Sequence, residues 1–277
     1  MELGIFAKVF QRENVQDVLE AVRSHGMHCT QFNLVCLGMP TLPQELDIPA
    51  LQKLEQAVAA VGIKVSALSG TFNMIHPDEE ERERGFRGLE NLARAVDYMG
   101  TKVITLCTGT RSQDNMWQFH PDNNTKQAWN DLVESMERAL EIAVKYGVVM
   151  GIEPELSNVV NSAEKARRLL DTFATPHLGI IMDGANLIAP DRMGEMHATL
   201  DEAFTLLGKD IILAHAKDLS LTAQVFVAPG RGDFDFPYYF SLLRSHGYSG
   251  SVIMHGLSEA EVPESYAAIS TLLEKEG

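Results

Sequence analysis

Residues 148–186 read VVMGIEPELSNVVNSAEKARRLLDTFATPHLGIIMDGAN. The two runs VVMGI (148–152) and LGIIM (178–182) are short, apolar throughout and rich in Val and Ile, as expected of strands covered on both faces. Between them SAEKARRLLDTF (162–173) places apolar residues three and four apart, the spacing of a helix with one buried stripe. A strand, a helix and a second strand of the same kind form a βαβ unit, whose strands are parallel and whose crossover is right-handed. The same alternation continues outward in both directions. Upstream lie LGIF (3–6), CTQF (29–32), KVSAL (64–68) and KVITL (102–106), and downstream IILA (211–214) and SVIM (251–254), so that eight strands are expected. Helix-period segments fill the intervals at 14–26, 48–62, 79–100, 125–147, 194–208 and 236–247, and a last one at 265–276 closes the chain. Most of them stop at a Gly, a common helix C-terminus. Eight units in 277 residues give about 35 residues each, the usual repeat of a (β/α)8 TIM barrel, which closes without an edge strand. An open doubly wound sheet is the alternative, but it would carry a Gly-rich nucleotide fingerprint after its first strand, and none is found there. No Pro- or Ser-rich linker divides the chain, so residues 1–277 are read as one barrel domain.

Lys and Arg number 23 against 38 Asp and Glu, a net charge of −15, with 45% hydrophobic and 22% charged residues. This is the composition of a soluble globular protein. The acidic balance argues against nucleic acid or an anionic membrane as partner, because phosphate binding draws on Lys and Arg. No apolar run approaches the ~18 residues of a membrane span, and MELGIFAKVFQREN lacks the basic-then-apolar order of a secretory signal, so a cytoplasmic protein is expected. Cys29, Cys36 and Cys107 are odd in number and widely spaced, without a zinc pattern, and read as free thiols. The run DEEERER (78–84) reads as a solvated first helical turn whose acids suit the helix dipole. A homo-oligomer is compatible with the sequence.

In such barrels the chemistry sits at the C-terminal ends of the strands. There Glu153 follows VVMGI, Asp183 follows LGIIM, His215 follows IILA and His255 follows SVIM; successive members lie 30, 32 and 40 residues apart. Each step is about one βα unit, so four metal-ligand side chains from strands five to eight converge on one mouth.

The blocks GIEPE (151–155), IIMDGAN (180–186), HAKD (215–218), PGRGDFDF (229–236) and GYSGSVIMHG (247–256) resemble the xylose isomerase-like barrel family, over roughly the chain from NMIHPD (73–78) to near its C-terminus. That family contains sugar and keto-sugar isomerases and epimerases, inosose dehydratases and apurinic endonucleases. The resemblance implies a divalent ion held by Glu, Asp, His and a second Glu. Glu153, Asp183 and His215 match, whereas this chain has His255 where the family usually has Glu. With a divalent ion, two carboxylates and two neutral imidazoles make a site of zero net charge, a donor set that favours Mn, Zn, Co or Fe over Mg. In the epimerases the two glutamates also act as acid and base on opposite faces of the sugar, so His255 is either a ligand or, turned toward substrate, a general acid or base.

Around these four, Asn186 stands where relatives often have a His that contacts substrate or a second metal, and is a hydroxyl contact or a loop cap; Lys217 alternates with His215, should share its direction, and is a substrate contact or part of a rim ion pair. Glu155 stands in the same relation to Glu153 and is a candidate orienting group or second carboxylate. His76 follows the third strand and reads as either a substrate contact or a helix-entry residue. The polar segment 107–129 is too long for a simple connection and reads as a lid, from which Trp117 and His120 pack either over a sugar ring or onto the barrel rim. Arg231 in PGRGDFDF is a candidate contact for an anionic or oxo group. The expected function is a metal-dependent isomerase or epimerase of a small sugar, sugar acid or keto-sugar, with Glu153 removing the proton next to a metal-polarised carbonyl. Dehydration of a polyol-derived ketone on the same site, and a non-catalytic sugar-binding barrel with a residual metal site, are the alternatives.

Overall fold

A computed structural model describes residues 1–274. Eight strands close into a parallel barrel: β1 (Glu2–Phe6), β2 (Cys29–Phe32), β3 (Lys64–Ser69), β4 (Val103–Cys107), β5 (Val149–Glu153), β6 (Leu178–Asp183), β7 (Ile211–Ala216) and, after a small hairpin of β8 (Asp218–Ser220) and β9 (Val225–Val227), β10 (Ser251–Met254). The order around the barrel is β1-β10-β7-β6-β5-β4-β3-β2, with β1 pairing to β2 to complete the ring. The helices α1 (Val15–Ser24), α2 (Ile48–Val61), α3 (Glu79–Ala95), α4 (Lys126–Tyr146), α5 (Ala163–Phe173), α6 (Met196–Leu207), α7 (Phe236–Ser245) and α8 (Val262–Glu274) follow the strands in turn. The expected (β/α)8 barrel is therefore the observed one. The expected last helix, 265–276, starts earlier, at Val262, and its residues 275 and 276 lie outside the described residues.

Local chemistry sets the element ends. Asn14, Asp47, Thr125, Ser162 and Asp235 each accept a hydrogen bond from a backbone N–H in the first turn of the helix they precede, satisfying donors that a helix start leaves free. Asp78 does the same for α3, with Glu79, Glu80 and Glu81 in its first turn, as the acidic run suggests.

The barrel interior follows the two-residue period of its strands. One layer holds Cys29, Ala67, Ile181, Leu213 and Ile253, which form a compact buried cluster with Phe6. Gly151 belongs to the same layer: a Cβ there would come within 2.3 Å of Ile181 Cδ1, so glycine leaves the room that the isoleucine fills. Two residues further along each strand the interior turns polar, with Gln31, Ser69, Thr105, Glu153, Asp183, His215 and His255. The hydrophobic floor thus fixes a polar ring at the C-terminal mouth.

Candidate metal centre at the barrel mouth

Glu153 ends β5, Asp183 ends β6 and His255 directly follows β10. His215 lies inside β7 rather than after it, since β7 runs two residues past the expected end. Its Cα is in register with Asp183 on one side and Ile253 on the other. One ligand-type atom from each of the four residues lies within 4.8 Å of all the others. His255 Nε2 stands 2.9 Å from Asp183 Oδ2, and His215 Nδ1 stands 3.5 Å from Glu153 Oε1. The two imidazoles meet edge to face with centroids 4.8 Å apart, and Phe6 packs against both rings.

Whether these residues suit a divalent ion is tested by His215. Its Nε2 lies 2.8 Å from Gln31 Oε1, an amide oxygen that only accepts, so Nε2 carries the hydrogen and Nδ1 keeps the lone pair. Gln31 is in turn fixed by donating through Nε2 to Ser69 Oγ at 3.0 Å and Thr105 Oγ1 at 3.1 Å. The free Nδ1 is buried, has no hydrogen-bond partner among the described residues, and faces Glu153. A buried acceptor left without a partner costs about 1–3 kcal/mol, a cost that a cation between Nδ1 and the carboxylates removes. The donor set and its tautomer therefore fit a metal.

The charges agree. Burial alone would raise the Asp183 carboxyl, but the hydrogen bond from His255 and the positive Lys217 hold it well below the usual range. Burial lowers the His255 imidazole against the pull of Asp183, which keeps it in the neutral, ligating form. Burial, with Glu153 beside it, pushes Glu155 up to about 9 despite Lys217.

Above the four residues opens a cavity of about 230 Å³ lined by Lys8, Gln31, Trp117, Glu155, Asn186 and Lys217, among others. Asn186 joins the ring to the cavity wall: its Nδ2 donates to Glu153 Oε1 at 2.7 Å, and its Oδ1 accepts from Lys217 Nζ at 2.6 Å. Lys217 also sits 3.6 Å from the ring centre of Phe226 on β9. Trp117 lines the cavity with half of its surface exposed, on a segment pinned below by Asn123, which binds Arg111 N and Ser157 O.

Three expected contacts lie elsewhere. His76 sits in the loop entering α3, where its Nδ1 accepts from Asp78 N and its Nε2 contacts Gln113 O, and it faces a different hollow beside α3. Arg231 points outward and pairs with Glu264 and Glu261, because the loop carrying it is folded around Asp218. His120 is half-buried and caps a short turn at Pro121–Asn124. Conversely Lys8, Gln31, Asn33, Ser69, Thr71 and Thr105 line the cavity from the first four strands and the turns that follow them, and were not expected there. The available signal was polarity inside otherwise apolar strands, as in the Gln of CTQF.

Comparison with known proteins agrees with this architecture. Over 275 residues the chain is 24% identical to a 3-dehydro-D-guloside 4-epimerase of Escherichia coli (strain K12), covering 95% of each chain. It is likewise 24% identical to an inosose dehydratase of Lactiplantibacillus plantarum, over 87% of this chain and 80% of the relative. Among solved structures, the IolI protein with a bound zinc atom superposes with a TM-score of 0.76 at 19% identity, covering 99% of both chains. A D-tagatose 3-epimerase-like protein gives 0.78 at 15% identity, covering 99% of this chain and 98% of the other. No helix among the described residues is long and apolar enough to cross a membrane. The sequence profile of the xylose isomerase-like TIM barrel matches residues 2–272, and the chain belongs to that family.

Proposed function

We propose that the protein is a divalent-metal-dependent isomerase or epimerase of a keto-sugar or related small polyol ketone. The observation that carries this reading is the convergence of Glu153, Asp183, His215 and His255 on one point, with the lone pair of His215 aimed there by Gln31. The relatives named as epimerase and inosose dehydratase support the substrate class. These four residues would hold the ion, and two imidazoles among them favour Mn, Zn, Co or Fe over Mg. When bound, the ion would polarise a substrate carbonyl and so acidify the adjacent C–H.

The chain's own residues supply the rest. Glu153 takes the proton; Asn186, donating to its Oε1 at 2.7 Å, leaves the other carboxylate oxygen for the substrate. Lys217, reached through Asn186, places a positive charge where negative charge develops on the substrate oxygens. His255 serves as a ligand, since it shares Asp183 at 2.9 Å with its ring against His215. A dehydratase uses the same proton abstraction and differs only in losing a hydroxyl afterwards.

Glu153→Gln tests the assignment. Wild type supplied with metal should exchange the α-proton of its keto-sugar with solvent deuterium, and the variant should lose that exchange by about 10²–10⁴-fold with an unchanged circular dichroism spectrum. Exchange at the wild-type rate in the variant would move the base elsewhere, and its absence in wild type across a keto-sugar panel would favour the non-catalytic sugar-binding barrel.

A further inference from the structure

We infer that the substrate is an anion, a keto-aldonate whose ketone lies over the metal residues and whose carboxylate lies against Lys8 and Lys217. This rests on the isomerase reading above and adds the charge of the substrate. The strands β1, β10 and β7 are neighbours in the barrel. The chain leaves them through Lys8, His255 and Lys217, and all three side chains line the cavity above the metal residues. Glu153, Glu155 and Asn186, from the ends of β5 and β6, line it as well. The cations thus come from one arc of the mouth and the acids from the next.

Neither lysine makes an ion pair among the described residues. Lys217 Nζ donates to Asn186 Oδ1 at 2.6 Å and lies over the Phe226 ring, and Lys8 Nζ lies 5.2 Å from the Phe6 ring centre. Glu261, in the hollow beyond Lys8, is already taken by the N–H and hydroxyl of Ser258 and by Arg231. A divalent ion would balance Glu153 and Asp183, with His215 and His255 neutral as ligands, and Glu155 offsets one lysine at most. At least one positive charge is therefore left at the mouth of a chain that carries −15 overall. A neutral ketose would leave that charge facing hydroxyls, whereas a carboxylate gives it charge-assisted hydrogen bonds, roughly twice as strong as neutral ones. Phosphate, with nearly two charges and three acceptor oxygens, is matched best by the forks of arginine, and no arginine among the described residues lines the cavity. Its volume of about 230 Å³ falls below the ~300–1,000 Å³ of pockets for drug-sized ligands and suits one short sugar acid. The acid end points toward β1 and β7, which leaves the reacting carbon toward Glu153 on β5.

Isothermal titration of metal-supplied protein with L-sorbose and 5-keto-D-gluconate, which differ only in a terminal hydroxymethyl against a carboxylate, and with further pairs of this kind, reads the charge directly. At least one keto-aldonate should bind about 10-fold or more tighter than its neutral partner. Lys8 is exposed, so its replacement leaves the core intact; Lys8→Gln should reduce that ratio several-fold and Lys8→Arg should keep it. The same preference should appear in kcat/KM for exchange of the α-proton with solvent deuterium. Equal binding within every pair would overturn the inference, as would tighter binding of the corresponding sugar phosphate. So would a ratio undiminished in Lys8→Gln, which would put the carboxylate on the ion alone, or one lost equally in Lys8→Arg. Neutral ketoses exchanging as fast as the acids would overturn it and leave the isomerase reading standing. Lysine-dependent binding of the acids without exchange on any of them would sustain the carboxylate seat and sink the isomerase reading instead.

Discussion

The two nitrogens of His215 have different neighbours, and that difference aims the residue. Nε2–H is taken by Gln31 and Nδ1 is left facing the carboxylates. Gln31→Leu keeps the size of the side chain but frees the ring and reverses its tautomer preference. Metal affinity, read by chelator competition, should fall about 10–100-fold, while His215→Ala should abolish stoichiometric binding. An unchanged affinity in Gln31→Leu would show that the ring is fixed by packing against Phe6 alone. Glu155 gives a second test. The folded protein keeps a proton on it up to about pH 9, which the unfolded chain has released above its ordinary value of 4.5. Over that window the folded state binds more protons, so stability falls as pH rises from 4.5 toward 9. Glu155→Gln should therefore leave metal-free protein unchanged near pH 4 and stabilise it at pH 8 by at least about 1 kcal/mol, some 2–4 °C in Tm. Equal shifts at both pH values would mean the carboxyl ionises freely. Of these residues, Glu153, Asp183, His215 and His255 were legible because strand ends and ligand chemistry coincide. Gln31 was not, since nothing local in CTQF says that its partner is 184 residues away.

Among the elements, the segment after β7 departs furthest from the simple alternation. Its organiser is the buried Asp218, whose carboxylate accepts from the backbone N–H groups of Leu219, Gly230, Gly232 and Phe234 at 2.8–3.1 Å. Gly232 must be glycine there, for a Cβ would stand 2.2 Å from Asp218 Oδ1. These bonds close the β8–β9 hairpin, which carries Phe226 against Lys217, and they turn Arg231 outward. Asp218→Ala orphans four donors and should destabilise the protein by about 3–5 kcal/mol, with new proteolytic cleavage between residues 221 and 233; Asp218→Asn should recover part of the loss. Wild-type resistance in Asp218→Ala would place the loop's stability elsewhere. The main strands and helices were readable because each carries its own period and cap. The hairpin was not, because three-residue strands with exposed Val225 and Phe226 show neither a period nor a buried face, and the carboxylate that folds the segment lies outside the hairpin's own turn.

For the molecule as a whole, legibility follows from closure. Once eight βα units are counted, the barrel fixes which strands neighbour one another, and the period of two fixes which side chains face the axis. What closure does not give is the height at which each strand ends: β7 runs on through Ala216, and only the pairing of Asp183 with His215 sets those two donors level. The same global view yields a kinetic expectation. The chain carries −15 overall, yet its metal residues sit beside Lys217 and Lys8. The long-range field should draw a divalent cation toward the protein, and that field is screened over about 10 Å at 0.1 M salt. Dissociation breaks only contacts inside the buried ring, which salt reaches far less. The association rate of Mn²⁺ or Zn²⁺ with metal-free protein should therefore fall several-fold, up to about 10-fold, between 10 and 200 mM NaCl, with the dissociation rate changing by less than about twofold. Stopped-flow mixing with a fluorescent chelator measures both. An association rate independent of salt would mean that the lysines at the mouth cancel the field of the whole chain, and Lys8→Ala should then restore the dependence.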